Sequence, residues 1–248
     1  EEFQQSSPQQ QLFVLILIRL ASFVFAAPFF NMANVPRKVK AGFALCLTVL
    51  VYSLFPDMTV EYNGMIDYAI IVVEEMIVGI LLGAVSSFCV QIIMFAGKII
   101  DMDIGISMAQ LYDPTTRMQV GIMGNLYYYM MMLLLIISGM HQYLVAAIIE
   151  TYKVIPIGGV KFGAGIYTAI ISFMLDFFVI GFRIALPVFS AILMLNCVLA
   201  ILAKVSPQMN MFVVGMQLKI FVGIFVILFT ISMLPSVSDF ILDEIERL

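Results

Sequence analysis

The chain has 248 residues, 63% of them hydrophobic and 11% charged, with a mean hydropathy of +1.10 and a formal net charge of −4. A soluble domain carries about 45–50% apolar and about 25% charged residues, so lipid or a large protein interface must cover this much apolar surface. The charge is spread thinly, with no basic block able to follow a phosphate backbone, which argues against nucleic acid as a partner.

In chain order, the opening EEFQQSSPQQQ lacks the cationic start of a secretory signal, and with no initial Met a few residues are expected to have been trimmed. Six apolar runs follow: Leu12–Phe30, Val39–Phe55, Ile66–Gly97, Ile122–Ile149, Ala164–Ala203 and Met211–Leu234. A spanning helix needs about 20 apolar residues, and several runs reach that length. None alternates with period two, so strands are not expected. Helix is the remaining structure that satisfies its own backbone in lipid. The expected fold is all-α, with about six long apolar helices in hairpins.

Prolines sit at or near the run borders, as helix punctuation should, except Pro187, which is expected to kink its helix. Two runs are too long. Ile66–Gly97 has 32 residues and Ala164–Ala203 has 40, giving helices of roughly 48 and 60 Å at about 1.5 Å per residue, against a hydrocarbon core of about 30 Å. Either the longer run breaks near Pro187, or these helices leave the membrane and bury apolar faces against other protein.

Basic residues orient the runs. Arg37, Lys38, Lys40, Lys98, Arg117 and Lys204 fall on one side, and Lys153, Lys161 and Arg247 on the other. The richer side is assigned to the cytoplasm, and six crossings then place both termini away from it.

A charge at mid-bilayer costs about 2.5–3.5 kcal/mol on insertion scales. Glu74 and Glu75 precede an uncharged stretch of spanning length and are open to an interfacial placement, while Lys219 can snorkel. Arg19 and Asp176 have no such escape. Asp176 and Arg183 share a helix face two turns apart, too far for an ordinary pair. A proton relay competes with pairing to neighbouring helices or subunits, and isolated charges do not make a relay chain. Arg19, Asp176 and Arg183 are therefore the candidate buried charges. Glu75, Gly79, Gly83, Ser87 and Gln91 recur every four residues, so Gly79, Gly83 and Ser87 are candidate helix-packing positions where another backbone comes close.

Chemistry-bearing motifs are missing. His141 is the only histidine, and Cys46, Cys89 and Cys197 each sit alone in an apolar run, so no metal site and no disulfide is expected. No phosphate-binding or nucleophile-elbow glycine motif is present. No catalytic residue, cofactor or enzymatic activity is expected. The nineteen methionines suit surfaces that repack or seal, or fill ordinary cores. One segment, KIIDMDIGISMAQLYDPTTRMQVG (Lys98–Gly121), is too polar to cross a bilayer and too apolar for a plain surface loop, with three acids, two bases and three methionines.

IRLASFVFAAPFF with VPRKVKAGFAL, then EEMIVGILLGAVSSFCVQIIMFAGKIIDMDIGISMAQLYDPTT, SGMHQYLVAAIIETYKVIP and ALPVFSAILMLNCVLAILAKVSPQMNMFVVGMQLKI resemble, in order and over nearly the whole chain, the FliR family, the R subunit of the flagellar and type III secretion export gate. The resemblance implies a structural, channel-forming subunit. Residues 1–180 would be like the gate's P subunit, and the hairpin 181–248 like the Q subunit. It implies as partners the P and Q subunits, an export component with a cytoplasmic switch domain, unfolded secreted substrates and lipid. It also implies the bacterial inner membrane and flagellar basal body, with the assembled gate largely on the periplasmic side.

By the same resemblance Lys98–Gly121 is the loop that plugs the channel. Met102, Ile106, Met108, Leu111 and Met118 would give compliant apolar contact, and Gly105 and the Asp113-Pro114 turn would give mobility. Lys204, Pro207, Gln208, Met209 and Asn210 form the turn expected to meet the switch component. The alternative, from another class, is a small-solute transporter of the inner membrane.

Overall fold

The computed structural model describes residues 8–32, 35–56, 58–60, 62, 64–106, 121–160, 163, 165–206, 208 and 210–237. Those residues fold into seven α-helices, with no strand among them. In order they are α1 (Pro8–Ala26), α2 (Arg37–Leu54), α3 (Met65–Ile104), α4 (Ile122–Ile137), α5 (Met140–Val154), α6 (Gly165–Val205) and α7 (Met211–Thr230), followed by a 3-10 turn at Ile231–Met233.

Local chemistry explains the helix ends. Pro8 opens α1, where its missing N–H is no loss. Pro36 holds an extended backbone just before α2, and buried Lys40 donates from Nζ to Asn31 Oδ1 at 2.9 Å. Asn210 caps α7, its Oδ1 accepting the Phe212 N–H at 3.2 Å.

The all-α expectation is borne out, with two corrections to its details. The fourth run is two helices: Gly139 adopts φ 77°, the left-handed region that ends α4 and lets α5 begin one residue later. The count of six crossings also falls. Among the described residues four helices are long and apolar enough to span, or five if α4 and α5 form one broken span. Helix α2 falls short because Arg37, Lys38 and Lys40 occupy its first turn. Helix α6 continues through Pro187 without dividing, over 41 residues. One proline removes a single backbone donor, and the bonds on either side still carry the helix. With 40 residues, α3 is likewise unbroken. Each is about 60 Å long, twice a hydrocarbon core.

The chain divides into two compact units, Glu1–Phe88 with Gly139–Ile166, and Cys89–Ser138 with Tyr167–Leu248. In the first, α1 and α2 are antiparallel: Phe13 meets Tyr52 at one end and Phe30 stacks on Phe43 at the other. The first half of α3 runs parallel to α1, since contacts on the two helices rise together from Arg19–Glu75 to Ala26–Ser87. In the second unit Phe95 packs among Phe177, Phe178 and Phe182 of α6 at 5.6–5.9 Å between ring centres. Gly223 of α7 makes room for Ile104 at the end of α3. Helices α6 and α7 bury little within the chain: 22% of Ile171–Val205 and 17% of Phe212–Thr230. Lipid or other chains must cover the rest.

Candidate functional site

Two polar arrangements stand out in this apolar protein, one in each unit. In the first unit Arg19 of α1 and Glu75 of α3 are fully buried and form a two-pronged ion pair, Nε to Oε2 at 2.5 Å and Nη2 to Oε1 at 3.0 Å. The remaining guanidinium nitrogen donates to the Ile155 carbonyl at 3.1 Å. The Gly158 N–H donates to Glu75 Oε1 at 3.2 Å. The ring of Tyr152 lies 4.4 Å from the guanidinium carbon, and its hydroxyl donates to the Ile16 carbonyl at 3.3 Å. Every guanidinium nitrogen is used, as a buried charge requires. The cluster fastens α1, α3, α5 and the chain after α5 together.

Above it on the same face, a Cβ at Gly79 would overlap Ser22 Oγ and the Arg19 carbonyl, and one at Gly83 would lie 2.6 Å from Ala26 Cβ. Ser87 Oγ donates to the Ala26 carbonyl at 2.5 Å. Gly79, Gly83 and Ser87 thus all face α1, while Gln91 is exposed. Of the three candidate buried charges, Arg19 alone is buried within this chain. Asp176 and Arg183 are exposed on it.

In the second unit, buried Asp101 near the end of α3 holds the start of α4. Its Oδ1 accepts the Met123 N–H at 3.1 Å and its Oδ2 the Gly124 N–H at 3.2 Å. These are the second and third residues of α4, whose donors a helix leaves free and an N-cap side chain usually takes. Gly121 stands at the cap position and has no side chain, and a Cβ there would collide with Asp101 Oδ2. The carboxylate of another helix therefore does the capping, and its charge suits the helix N-terminus. A Cβ on Gly97 would fall on Gly124 Cα, so the two backbones touch. The last turns of α3 and the start of α4 are therefore held together.

Around that point Met102 is exposed and Gly105 has φ 88°, a conformation glycine adopts without a Cβ penalty. Ile106 is half-buried. Met108, Leu111, Asp113, Pro114 and Met118 lie outside the described residues. Lys204 is exposed in the last turn of α6; in the turn beyond it Gln208 is exposed and Asn210 caps α7, while Pro207 and Met209 lie outside the described residues. Among the described residues no three His, Cys, Asp or Glu side chains converge as metal ligands. Cys46 and Cys197 are exposed and Cys89 is buried.

Sequence reasoning singled out Arg19 but found neither its pairing with Glu75 nor the parts played by Tyr152 and Gly158. It also passed over Asp101. The available signal was a carboxylate in an apolar run, followed by a helix start, Gly121-Ile122-Met123-Gly124, that lacks a capping side chain of its own.

Apolar helices of spanning length, with the buried Arg19, Glu75 and Asp101 paired or spent on backbone donors, define an integral membrane protein of helical type. The sequence model of the family described as bacterial export proteins, family 1, matches residues 11–245, and the chain belongs to that family. It is 26% identical to flagellar biosynthetic protein FliR of Escherichia coli (strain K12) over 233 residues, covering 94% of this chain and 88% of that protein. It is 28% identical to FliR of Bacillus subtilis (strain 168) over 228 residues, covering 90% and 86%. With FliR of Aquifex aeolicus (strain VF5) the identity is 24% over 232 residues, covering 92% and 90%. The resemblance read from the sequence is thereby borne out.

Proposed function

We propose that the chain is a channel-forming subunit of the core export gate of a flagellar type III secretion system, in the bacterial inner membrane, and that the part of Lys98–Gly121 between α3 and α4 plugs the path of unfolded substrates at rest, Lys98–Ile104 being the end of α3. The observation that carries the plug is the Asp101 tie to Met123 and Gly124. A plug has to move aside while its anchors stay, and this tie holds both anchors independently of the residues between them. The segment works by filling space and excluding water, since apolar constrictions block ions by dewetting. Residues 1–180 correspond to a P-like portion and 181–248 to a Q-like hairpin, joined to the P and Q subunits in a gate that stands largely on the periplasmic side. The bare apolar faces of α6 and α7 support such neighbours. The Lys204–Asn210 turn faces the cytoplasm and meets the switch-bearing export component.

Deletion of Ile106–Met118 tests the plug, because it leaves Asp101, Gly121, Met123 and Gly124 in place. The gate is expected to assemble and to leak: small ions cross the membrane at rest, growth falls in high salt, and some export continues. Conductance of cells expressing the assembled variant is the measurement. A fully assembled gate in a tight membrane would move the seal to the partner subunits.

A further inference from the structure

Asp176 and Arg183 of α6 carry opposite charges, and neither has an ion pair or hydrogen bond among the described residues. Both are exposed on the chain. They stand about 10 Å apart along the helix, too far to meet each other. At 3.6 residues per turn they share one face with Ile180, Ile184 and Pro187.

On one side of that line lies a cavity of about 260 Å³, within the second unit. Ile180, Arg183, Ile184 and Pro187 line it from α6, with Tyr127 of α4 and Thr230 of α7. The hydroxyls of Tyr127 and Thr230 bond each other at 2.8 Å, and Thr230 Oγ1 donates to the Ile227 carbonyl at 3.0 Å. Those polar groups are satisfied, whereas the Arg183 guanidinium is not. On the other side of the line Leu175, Val179 and Leu186 are exposed.

A neighbour packed on Leu175, Val179 and Leu186 therefore borders Asp176 and Arg183 as well. A purely apolar cover, lipid tails included, would take both charges out of water without a partner, at a cost that buried charges avoid by pairing. Water over this face would instead leave the three aliphatic side chains wet. An apolar helix with two charges of its own, spaced as these are and opposite in sign, answers every group.

We propose, on the reading of the chain as a gate subunit, that a helix of a neighbouring subunit seats along this face, an acidic side chain entering the cavity onto Arg183 and a basic one, two turns away, reaching Asp176. The two pairs fix the register of that helix and the choice of neighbour, because a like charge at either position repels.

The test uses the full-length chain in its complex, with photoreactive benzoylphenylalanine in place of the exposed Leu186 and the crosslinked peptide read by mass spectrometry. The crosslink is expected on another subunit of the complex, in a helix that carries Asp or Glu within a turn of the linked residue and Lys or Arg two turns from that acid. Arg183→Glu is expected to lower the amount of intact complex at least about tenfold, since two acids then face each other. Changing the partner's acid to lysine in the same cells is expected to restore it, which a merely misfolded chain would not allow. A crosslink confined to lipid, to an export substrate or to a helix without the acid overturns the proposal. Wild-type assembly of Arg183→Glu overturns it too, as does a charge swap that restores no complex. A wild-type chain that purifies without other subunits would overturn the gate reading and the proposal with it, whereas an intact complex without the expected crosslink sinks the proposal alone.

Discussion

At the residue scale, the Arg19–Glu75 pair is a device of all-or-nothing character. Two charges removed from water are tolerated because each finds the other together with the Ile155 carbonyl and the Gly158 N–H. Taking away one partner leaves the other charge stranded, which costs about 3–5 kcal/mol, whereas replacing both with apolar side chains of similar size is often neutral. Glu75→Ala is therefore expected to reduce folded, assembled protein severely, and Arg19→Met with Glu75→Leu to recover much of it. The amount of intact complex and its melting temperature are the readouts. A double variant as poor as the single one would show that an apolar pair cannot replace the charges, because the Ile155 carbonyl and the Gly158 N–H need them as partners. Asp101 acts more locally. Asp101→Ala removes the acceptor for two amide donors, a capping loss of about 1 kcal/mol, so hydrogen exchange at Met123 and Gly124 is expected to speed up about fivefold. Unchanged exchange there would show that α4 is capped by something else.

At the element scale, α1 and α3 run parallel at a separation set by what is absent between them. Gly83→Ala puts a methyl group 2.6 Å from Ala26 Cβ and 2.9 Å from the Ala27 nitrogen, so a backbone must move. Gly42 of α2 has nothing within 4 Å of its would-be Cβ. Gly42→Ala is accordingly expected to be neutral or stabilising by up to about 1 kcal/mol, and Gly83→Ala or Gly83→Leu to lose assembly. Comparable amounts of intact gate from Gly42→Ala and Gly83→Leu would show that assembly does not depend on the α1–α3 contact. The same scale explains why the fourth apolar run is not one helix. A residue with positive φ, at Gly139, ends a helix whatever the hydropathy around it.

At the scale of the whole molecule, the exposed apolar faces dominate. Phe221, Phe225, Leu228 and Phe229 on α7, with Leu193, Met194 and Ile201 on α6, cannot face water. Membership of an export family and lengths of about 60 Å for α3 and α6 fit helices that meet lipid over part of their length and other chains over the rest. The turn between α6 and α7 is the place to test orientation. Gln208 is exposed there, and a cysteine at this position is expected to crosslink in cells to the switch-bearing export component. Labelling of that cysteine from the periplasmic side alone would overturn both the contact and the orientation.

Hydropathy was enough to establish helices and a membrane setting, because lipid demands an internally satisfied backbone and a long apolar helix supplies it. The four-residue recurrence of Glu75, Gly79, Gly83 and Ser87 likewise marked one face of α3, since 3.6 residues per turn put such positions in line. What that face meets was not legible. Glu75 lies 56 residues from Arg19 and 83 from Gly158, and no local pattern relates positions so far apart. Asp101 reads as an awkward charge in an apolar run until α4 is placed against it, and Gly97 and Gly124 read as ordinary small residues until their backbones touch. Tertiary structure decided these points for one physical reason. A buried charge or a glycine contact is defined by its neighbour, and the neighbour arrives only when the helices pack.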